Sequence, residues 1–339
     1  DIETMTVLKD ASAGALDGAR GANGVVMITT KGGKEGKANI TWRSTVGWSS
    51  RALDEYDMVD GKDYVQLTYE AIRNSYLFNS GYSWADAESQ ARADLGGNLG
   101  GELYNPFKNY TWDTIIDPAT GQVKADAQAA WNERWMDALQ RDNALRQEHQ
   151  LSINGGTDKT KYMFSLGYLN EDGILVTTGF QRYNARANVM SNINHWFKAN
   201  ANLSLSNSVQ NFSDYSGTST SNVWYSAQFV SPLFPVYIKD LQGKDVLDEF
   251  GNRQLDYGEQ GRPGSYNDYN PLGGLLDDIA DVKNDVASIR TGMTFGSDEE
   301  SMGIFKGLKL ALNFGADYRS QLQKSYMNMY HGNQANAGG

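Results

Sequence analysis

With no cysteine among its 339 residues, the chain's candidate chemistry is weighed first at its histidines, carboxylates and glycine-rich turns. Without thiols there is no disulfide framework, no thiolate metal site and no cysteine nucleophile. The three histidines, His149, His195 and His331, lie far apart and unclustered, which argues against a zinc site or a histidine-based triad. Adjacent carboxylates such as Asp277 and Asp278 point to opposite faces of an extended chain, whereas a glycosidase needs two that face one substrate. Gly18, Gly21 and Gly24 form G-x-x-G-x-x-G, which is not the dinucleotide fingerprint, and no acidic residue follows at the required distance. Lys31-Gly32-Gly33-Lys34 lacks phosphate-loop spacing and reads as a linker. Asp240, Asp245, Asp248, Glu249 and Asp256 alternate with Gly243, Gly251 and Gly258. That stretch could hold calcium in a loop, but it misses the D-x-[DN]-x-[DN]-G spacing, and tandem β-turns suit it better. The expectation is therefore a protein without catalytic residues, cofactor or metal, loop calcium being the alternative.

Composition narrows the class further. A net charge of -11 repels a phosphate backbone, so nucleic acid is not an expected partner. Thirty-six glycines, six prolines and 12% aromatics suit a β-rich chain with many turns. No apolar run approaches the ~18 residues of a membrane helix, yet barrel strands need only alternate apolar residues.

Such alternation recurs over seven stretches, 39–48, 148–154, 161–170, 182–189, 196–207, 287–296 and 308–319. Arg182, Asn184, Arg186 and Asn188 oppose Tyr183, Ala185, Ala187 and Val189; Lys198, Asn200, Asn202 and Ser204 oppose Phe197, Ala199, Ala201 and Leu203. Periodicity alone leaves a barrel and a soluble sandwich equally open. Loop lengths favour the barrel. Short connections at 155–160, 191–195 and 297–307 alternate with a brief one at 171–181 and long ones at 49–147 and 208–286. Compact soluble domains seldom carry two such long loops, whereas outer-membrane barrels put short turns at one end and long loops at the other. The first long loop is predicted to hold helices over 61–75, 83–95 and 126–139.

The segment from Val7 to Lys31, VLKDASAGALDGARGANGVVMITTK, resembles the late plug of SusC/RagA TonB-linked outer-membrane proteins. Asp17 stands where that family usually carries an aromatic residue. Arg146-Gln147-Glu148-His149, Gly155 to Thr160, Gly167 to Ile174 with Arg182-Tyr183-Asn184, and Asn270-Pro271-Leu272 resemble its later strands and loops. The resemblance implies an all-β membrane protein, an antiparallel transmembrane β-barrel of about 22 strands when complete, with an N-terminal α+β plug. Residues 1–36 would be the C-terminal part of the plug, and 37–339 the first part of the barrel, about seven strands with long extracellular loops. The chain is thus expected to be a fragment.

Its plug-motif residues are Lys9, Asp10, Ser12, Gly18, Arg20, Gly21, Asn23 and Gly24. Residues 4–8 and 25–30 read as buried plug strands, with Asp10 or Ser12 capping a helical turn over 11–16 and the glycines permitting positive φ. Arg20 could pair with wall carboxylates or be a solvated surface residue. Trp112, Trp131, Trp135, Tyr215, Trp224, Tyr225, Tyr266 and Tyr269 could stack on substrate, or instead form loop cores or partner contacts. Trp42, Trp48, Tyr168 and Tyr318 suit a membrane-interface girdle. The function implied is active import of an oligosaccharide or oligopeptide across the outer membrane of a Gram-negative bacterium. Its partners would be outer-membrane lipid, a SusD-like lipoprotein, the TonB–ExbB–ExbD complex and a second SusC–SusD pair forming a dimer. A secreted carbohydrate-binding or glycoside-hydrolase protein and a passive porin or adhesin are the alternatives.

Overall fold

The computed structural model describes residues 2–8, 24–53, 55–212, 222–240, 242–258, 261–263 and 269–327. Two strands, β1 (Ile2–Leu8) and β2 (Val25–Thr30), form an antiparallel ribbon. Seven more form one antiparallel sheet in chain order: β3 (Gly36–Ser49), β4 (Ala144–Gly156), β5 (Thr160–Asp172), β6 (Gly179–Asn194), β7 (Phe197–Asn211), β8 (Ile279–Phe295) and β9 (Leu310–Tyr326). Such a meander is the wall of an up-and-down barrel. Among the described residues no helix is long and apolar enough to cross a membrane.

The cross-strand register turns alternation into two surfaces. Trp42, Leu151, Leu166, Ala185, Leu205, Ala287 and Tyr318 form one continuous row, and Ile40, Ile153, Phe164, Ala187, Leu203, Ile289 and Ala316 the next row on the same face. The interleaved rows carry Arg, Asn, Ser and Thr to the other face. Along β9 the apolar face runs from Leu310 to Tyr318. At a rise of ~3.3 Å per residue and a barrel tilt of ~35–45°, that spans roughly 19–22 Å of bilayer. On β3 the apolar face, Ile40 to Trp48, lies opposite 316 to 324 of β9, a slide of about six residues across six strand steps. With strands ~4.8 Å apart, this slide corresponds to a tilt of ~35°, the value barrels require.

Each strand is longer than its alternating stretch. The extra length lies mainly toward the long loops, where the face that is apolar below carries Asn207, Asn211, Asp281 and Asp285. Asn207 donates to Asp285 at 2.5 Å, and Asn211 to Asp281 at 2.7 Å. On β8 the polar residues here take the face that is apolar below while Val282 and Val286 take the lumen face, so the hydropathy pattern of the band does not continue although the ladder does. Two expectations are corrected. The ribbon β1–β2 was read as buried, but Met5, Val7, Val26, Met27 and Ile28 are exposed, since a two-stranded ribbon alone has no second layer. The helix expected over 126–139 is reduced to α3, Trp135–Leu139. Upstream of it, Ala130 donates its N–H to Pro106 and Ala129 bridges Phe107, so loop packing overrides helix propensity.

The long loops fold together as a domain with its own core. Helix α1 (Gly61–Phe78) starts at Asp60, whose carboxylate accepts from the Asp63 N–H at 2.8 Å. Helix α2 (Trp84–Asn98) starts at Ser83 and buries Ala87, Ala91 and Leu95, one per turn. These pack with residues of the second long loop, including α4 (Val223–Phe229) and α5 (Pro271–Asp277), and with Leu175 of the β5–β6 connection. At the centre sits Arg262, 0% exposed, paired at 2.9 Å with Asp256, 6% exposed. It also donates to the carbonyls of Asp256 and Tyr269, and its guanidinium lies 5.6–5.9 Å from the rings of Phe234, Trp135 and Tyr104. Tyr104 donates to Asp256, and burial plus that carboxylate push its phenol well above the ordinary range. Arg262→Ala leaves Asp256 buried without its cation and should cost about 3–5 kcal/mol. Expected are faster proteolysis of the loops and unchanged resistance of the strands, with R262M/D256N recovering most of the loss; loops as resistant as wild type in R262A would refute this.

Candidate functional site on the lumen face and in the loop domain

The linker shows which face of the sheet looks inward. After β2 the chain crosses the polar face near the short turns. There Asn188 donates to the Lys31 carbonyl at 2.9 Å, and Lys161 approaches Glu35 at 3.8 Å. At Gly33 a Cβ would lie 2.3 Å from the Tyr162 backbone nitrogen, so only glycine lets the linker sit this close to β5. The polar face therefore carries the connection to the β1–β2 ribbon, as a barrel's lumen face would, and the apolar face is left for lipid.

Side chains lie flat on this wall. Asn184 covers Gly167, Asn200 and Asn313 cover Gly292, and Arg290 covers Gly315; a Cβ at any of these would meet the covering side chain within 3 Å. Each glycine is a slot for a neighbour's polar chain, which keeps the interior open. The wall's three carboxylates are matched: Glu148 and Glu171 with Arg146 at 2.8 and 3.2 Å, and Asp317 with Arg290 at 2.6 Å. Arg43, Arg182 and Arg319 have no ion-pair partner among the described residues, and the Arg182 Nε is buried without a hydrogen-bond partner there. Arg20 lies outside the described residues, so its expected pairing with the wall has no geometry here.

In the loop domain a cleft of about 750 Å³ opens between residues 51–59, 132–142 and 227–232. Its polar edge is built on Glu55, which accepts from Arg51 at 2.5 Å and from Arg134 and Gln140 at 3.3 Å each. Tyr56, 95% exposed, and the exposed Leu53, Met58 and Phe229 supply apolar surface. Short-range pattern did not single these out; the signal available was an apolar set in a stretch with no helical or strand period.

The aromatics expected to meet substrate are mostly elsewhere. Trp112, Trp131, Trp135 and Tyr269 are buried, and the three indole N–H groups donate to the carbonyls of Gly101, Leu233 and Phe234. They hold the loop core and, as placed, offer no ring face to a ligand, although the Trp135 position borders the cleft. Trp224 and Tyr225 are half-buried on α4; Tyr215 and Tyr266 lie outside the described residues. Of the plug motif only Gly24 is described. It has φ +94°, and a Cβ there would sit 3.1 Å from the Leu8 carbonyl. Lys9, Asp10, Ser12, Gly18, Arg20, Gly21 and Asn23 lie outside the described residues.

The girdle residues face outward with the apolar rows: Trp42 and Tyr318 share one row, and Tyr168, 5.0 Å from Tyr183, is in the row above. Trp48 is further along β3 on the same face. Trp196, Phe197 and Phe295 cluster at the short-turn end, closing the band with aromatics on that side. The acidic stretch makes turns. Asp240 accepts the N–H groups of Gln242 and Lys244, and Asp248 those of Phe250 and Asn252. These bonds hold both carboxyls below the usual range. Among the described residues no group of three or more histidine or acidic side chains converges.

A tilted antiparallel wall with a lipid face, a polar lumen face and a folded loop domain defines part of an outer-membrane-type β-barrel. No protein-family model matches the chain. The TonB-dependent receptor SusC of Bacteroides thetaiotaomicron is 27% identical over 97% of this chain and 28% of its own length. TonB-dependent receptor P3 of Formosa agariphila is 26% identical over 71% of the chain and 19% of its own length. Among solved structures, the RagAB peptide importer in its open-open state aligns over 95% of the chain and 32% of its own, with TM-score 0.60 and 23% identity. A second RagAB peptide transporter structure gives TM-score 0.56 at 24% identity. Over nearly its whole length the chain is similar to the SusC TonB-dependent receptor and shares its fold with the RagAB structures, spanning under a third of the length of these relatives. These relatives are receptors and importers, which points away from an enzyme.

The linker geometry can be tested directly. Gly33→Val should lift the linker from β5 and speed tryptic cleavage after Lys31 and Lys34 severalfold. Gly32→Val, where a Cβ meets nothing within 4 Å, should leave the cleavage rate unchanged. Equal rates in the two variants would contradict the close approach.

Proposed function

We propose that the protein of which this chain is part imports an oligomeric nutrient, an oligosaccharide or oligopeptide, across the outer membrane in a TonB-dependent manner. The observation that carries the reading is the lumen face: the linker from the β1–β2 ribbon lies on the polar side of a wall whose other side is a lipid-height apolar band. In this reading residues 1–36 end the plug, and 37–339 begin the barrel with loops 49–147 and 208–286 outside the cell. The TonB–ExbB–ExbD complex displaces the plug, and a SusD-like lipoprotein delivers cargo to the loop domain, two such pairs forming a dimer. Cargo would first meet the cleft at Glu55, Tyr56 and Phe229, where an exposed ring beside charged and amide groups suits a sugar or a peptide side chain.

The full-length protein should fractionate with detergent-solubilised outer membrane as a heat-modifiable band, and its deletion should abolish uptake of the cargo. Y56A/F229A should weaken cargo binding by roughly ten-fold without changing the heat-modifiable shift. Recovery in the soluble periplasm or the medium would overturn the proposal.

A further inference from the structure

The acidity of this chain is not spread evenly. Residues 50–143 and 212–278 hold 26 acidic and 12 basic side chains, more than the whole net charge of -11, so the remainder is net positive. On the wall this excess faces inward. Arg43 and Arg319 lie at the two ends of one lumen row, which passes through Gln150, Asn184 and Ser206, and Arg182 stands two residues above Asn184. Adjacent members of this set are three strands apart, or ~14 Å across the sheet. Arg182 follows the β5–β6 connection by a few residues, and Arg319 sits at the loop end of the apolar band on β9, so both are near the mouth rather than at the linker end. A hollow of about 320 Å³ is lined by Arg182 and Arg186 together with Gln150, Asn184, Ser204 and Ser206. Its one carboxylate, Glu148, is already held by Arg146 at 2.8 Å.

We infer that Arg182 and Arg319, with Arg43 deeper in the wall, form a lumen belt that selects a cargo bearing carboxylates. The inference rests on the importer reading and narrows its cargo. A guanidinium held against a wall of amides and hydroxyls, with no carboxylate of its own, is suited to bidentate capture of a carboxylate. Rings of basic side chains serve the same purpose in anion-selective pores. Residues 1–36 carry five acidic and four basic side chains, so this segment is almost balanced and supplies no excess of carboxylates to the belt. The acidic loops do not cancel the belt, since at physiological ionic strength their charge is screened beyond ~8 Å. Three sites ~14 Å apart would engage different units of one oligomer, so an oligomer gains more than a monomer.

The test uses the full-length transporter in detergent at physiological salt, with four probes: galacturonate and glutamate tetramers, and maltotetraose and tetraserine as neutral counterparts. Wild type should bind a carboxylated tetramer more tightly than its neutral counterpart, and whichever acid binds identifies the backbone class. R182Q/R319Q should lose about ten-fold or more for that acid and leave the neutral probes unchanged, while R182K/R319K keeps part of the preference. No preference for carboxylate in wild type, or equal losses for acidic and neutral probes, overturns the inference. So does R182Q/R319Q that raises tryptic cleavage at Lys31 and Lys34 without altering probe preference, which would assign the arginines to the plug. Uptake of neutral oligomers in preference to carboxylated ones by the wild type would leave the importer reading standing while removing this one; absence from the outer membrane with no oligomer uptake would remove the importer reading itself.

Discussion

A chain crossing hydrocarbon must satisfy every backbone N–H and C=O within the protein, and the rest of this structure depends on that requirement. Strands meet it only by pairing edge to edge, and pairing fixes a side-chain period of two. Because the register from β4 to β7 shifts only near the short turn at Asn192 to Asn194, a single choice of face at Leu166 also decides it for Leu151, Ala185 and Leu205. Lipid contact on one side then obliges the polar residues to the other. The lumen wall is thus the unavoidable reverse of the lipid wall, and its chemistry is confined to alternate positions. Glycines at 167, 292 and 315 use some of those positions for space, letting Asn184, Asn200 and Arg290 lie along the wall.

The loop domain obeys a different rule. Outside the bilayer, long loops lose much conformational entropy when ordered, so they need a core of their own. Two insertions far apart in sequence supply it jointly: Trp131 and Trp135 of the first donate to the carbonyls of Leu233 and Phe234 of the second. The buried Arg262–Asp256 pair adds geometry more than net stability, since desolvating both charges offsets most of their attraction. What it does fix is the placement of Asp256 against Tyr269, because one guanidinium donates to both carbonyls. Arg141 does the same for the β5–β6 connection, donating to the carbonyls of Gly173, Leu175 and Thr178.

These two rules account for what could be read from the residues alone. The strands were legible where lipid imposes alternation, as at Phe197 to Leu205, and illegible where the ladder runs on into water, as at Asp281 to Asp285. Helices α1 and α2 were legible because Asp60 and Ser83 cap them and local spacing sets their buried faces. The segment 126–134 was not, since its partners at Pro106 and Phe107 are long-range. The same holds for the candidate site. Trp112, Trp131 and Trp135 look like ligand platforms by type, and only the folded loops reveal that their neighbours are other loop residues. Tyr56 and Phe229 look like ordinary loop aromatics until the cleft brings them to one opening.

Two unlike electrostatic regions follow from this division of labour. The loops fold outside the apolar band, and a strong excess of one sign of charge keeps such a domain soluble. The wall cannot place charge toward lipid, so its arginines face the lumen, where Arg146 and Arg290 are consumed by wall carboxylates. Arg43, Arg182 and Arg319 have no ion-pair partner among the described residues and stand three strands apart, with Arg182 sharing its hollow with Arg186. A cluster would bind one anionic group tightly and retain it, which is unsuited to a conduit. In the proposed importer, single arginines separated by several strands would hold each unit weakly and let an oligomer move on unit by unit. A spacing set by the strand separation and by the positions that lipid leaves free would then favour passage over storage.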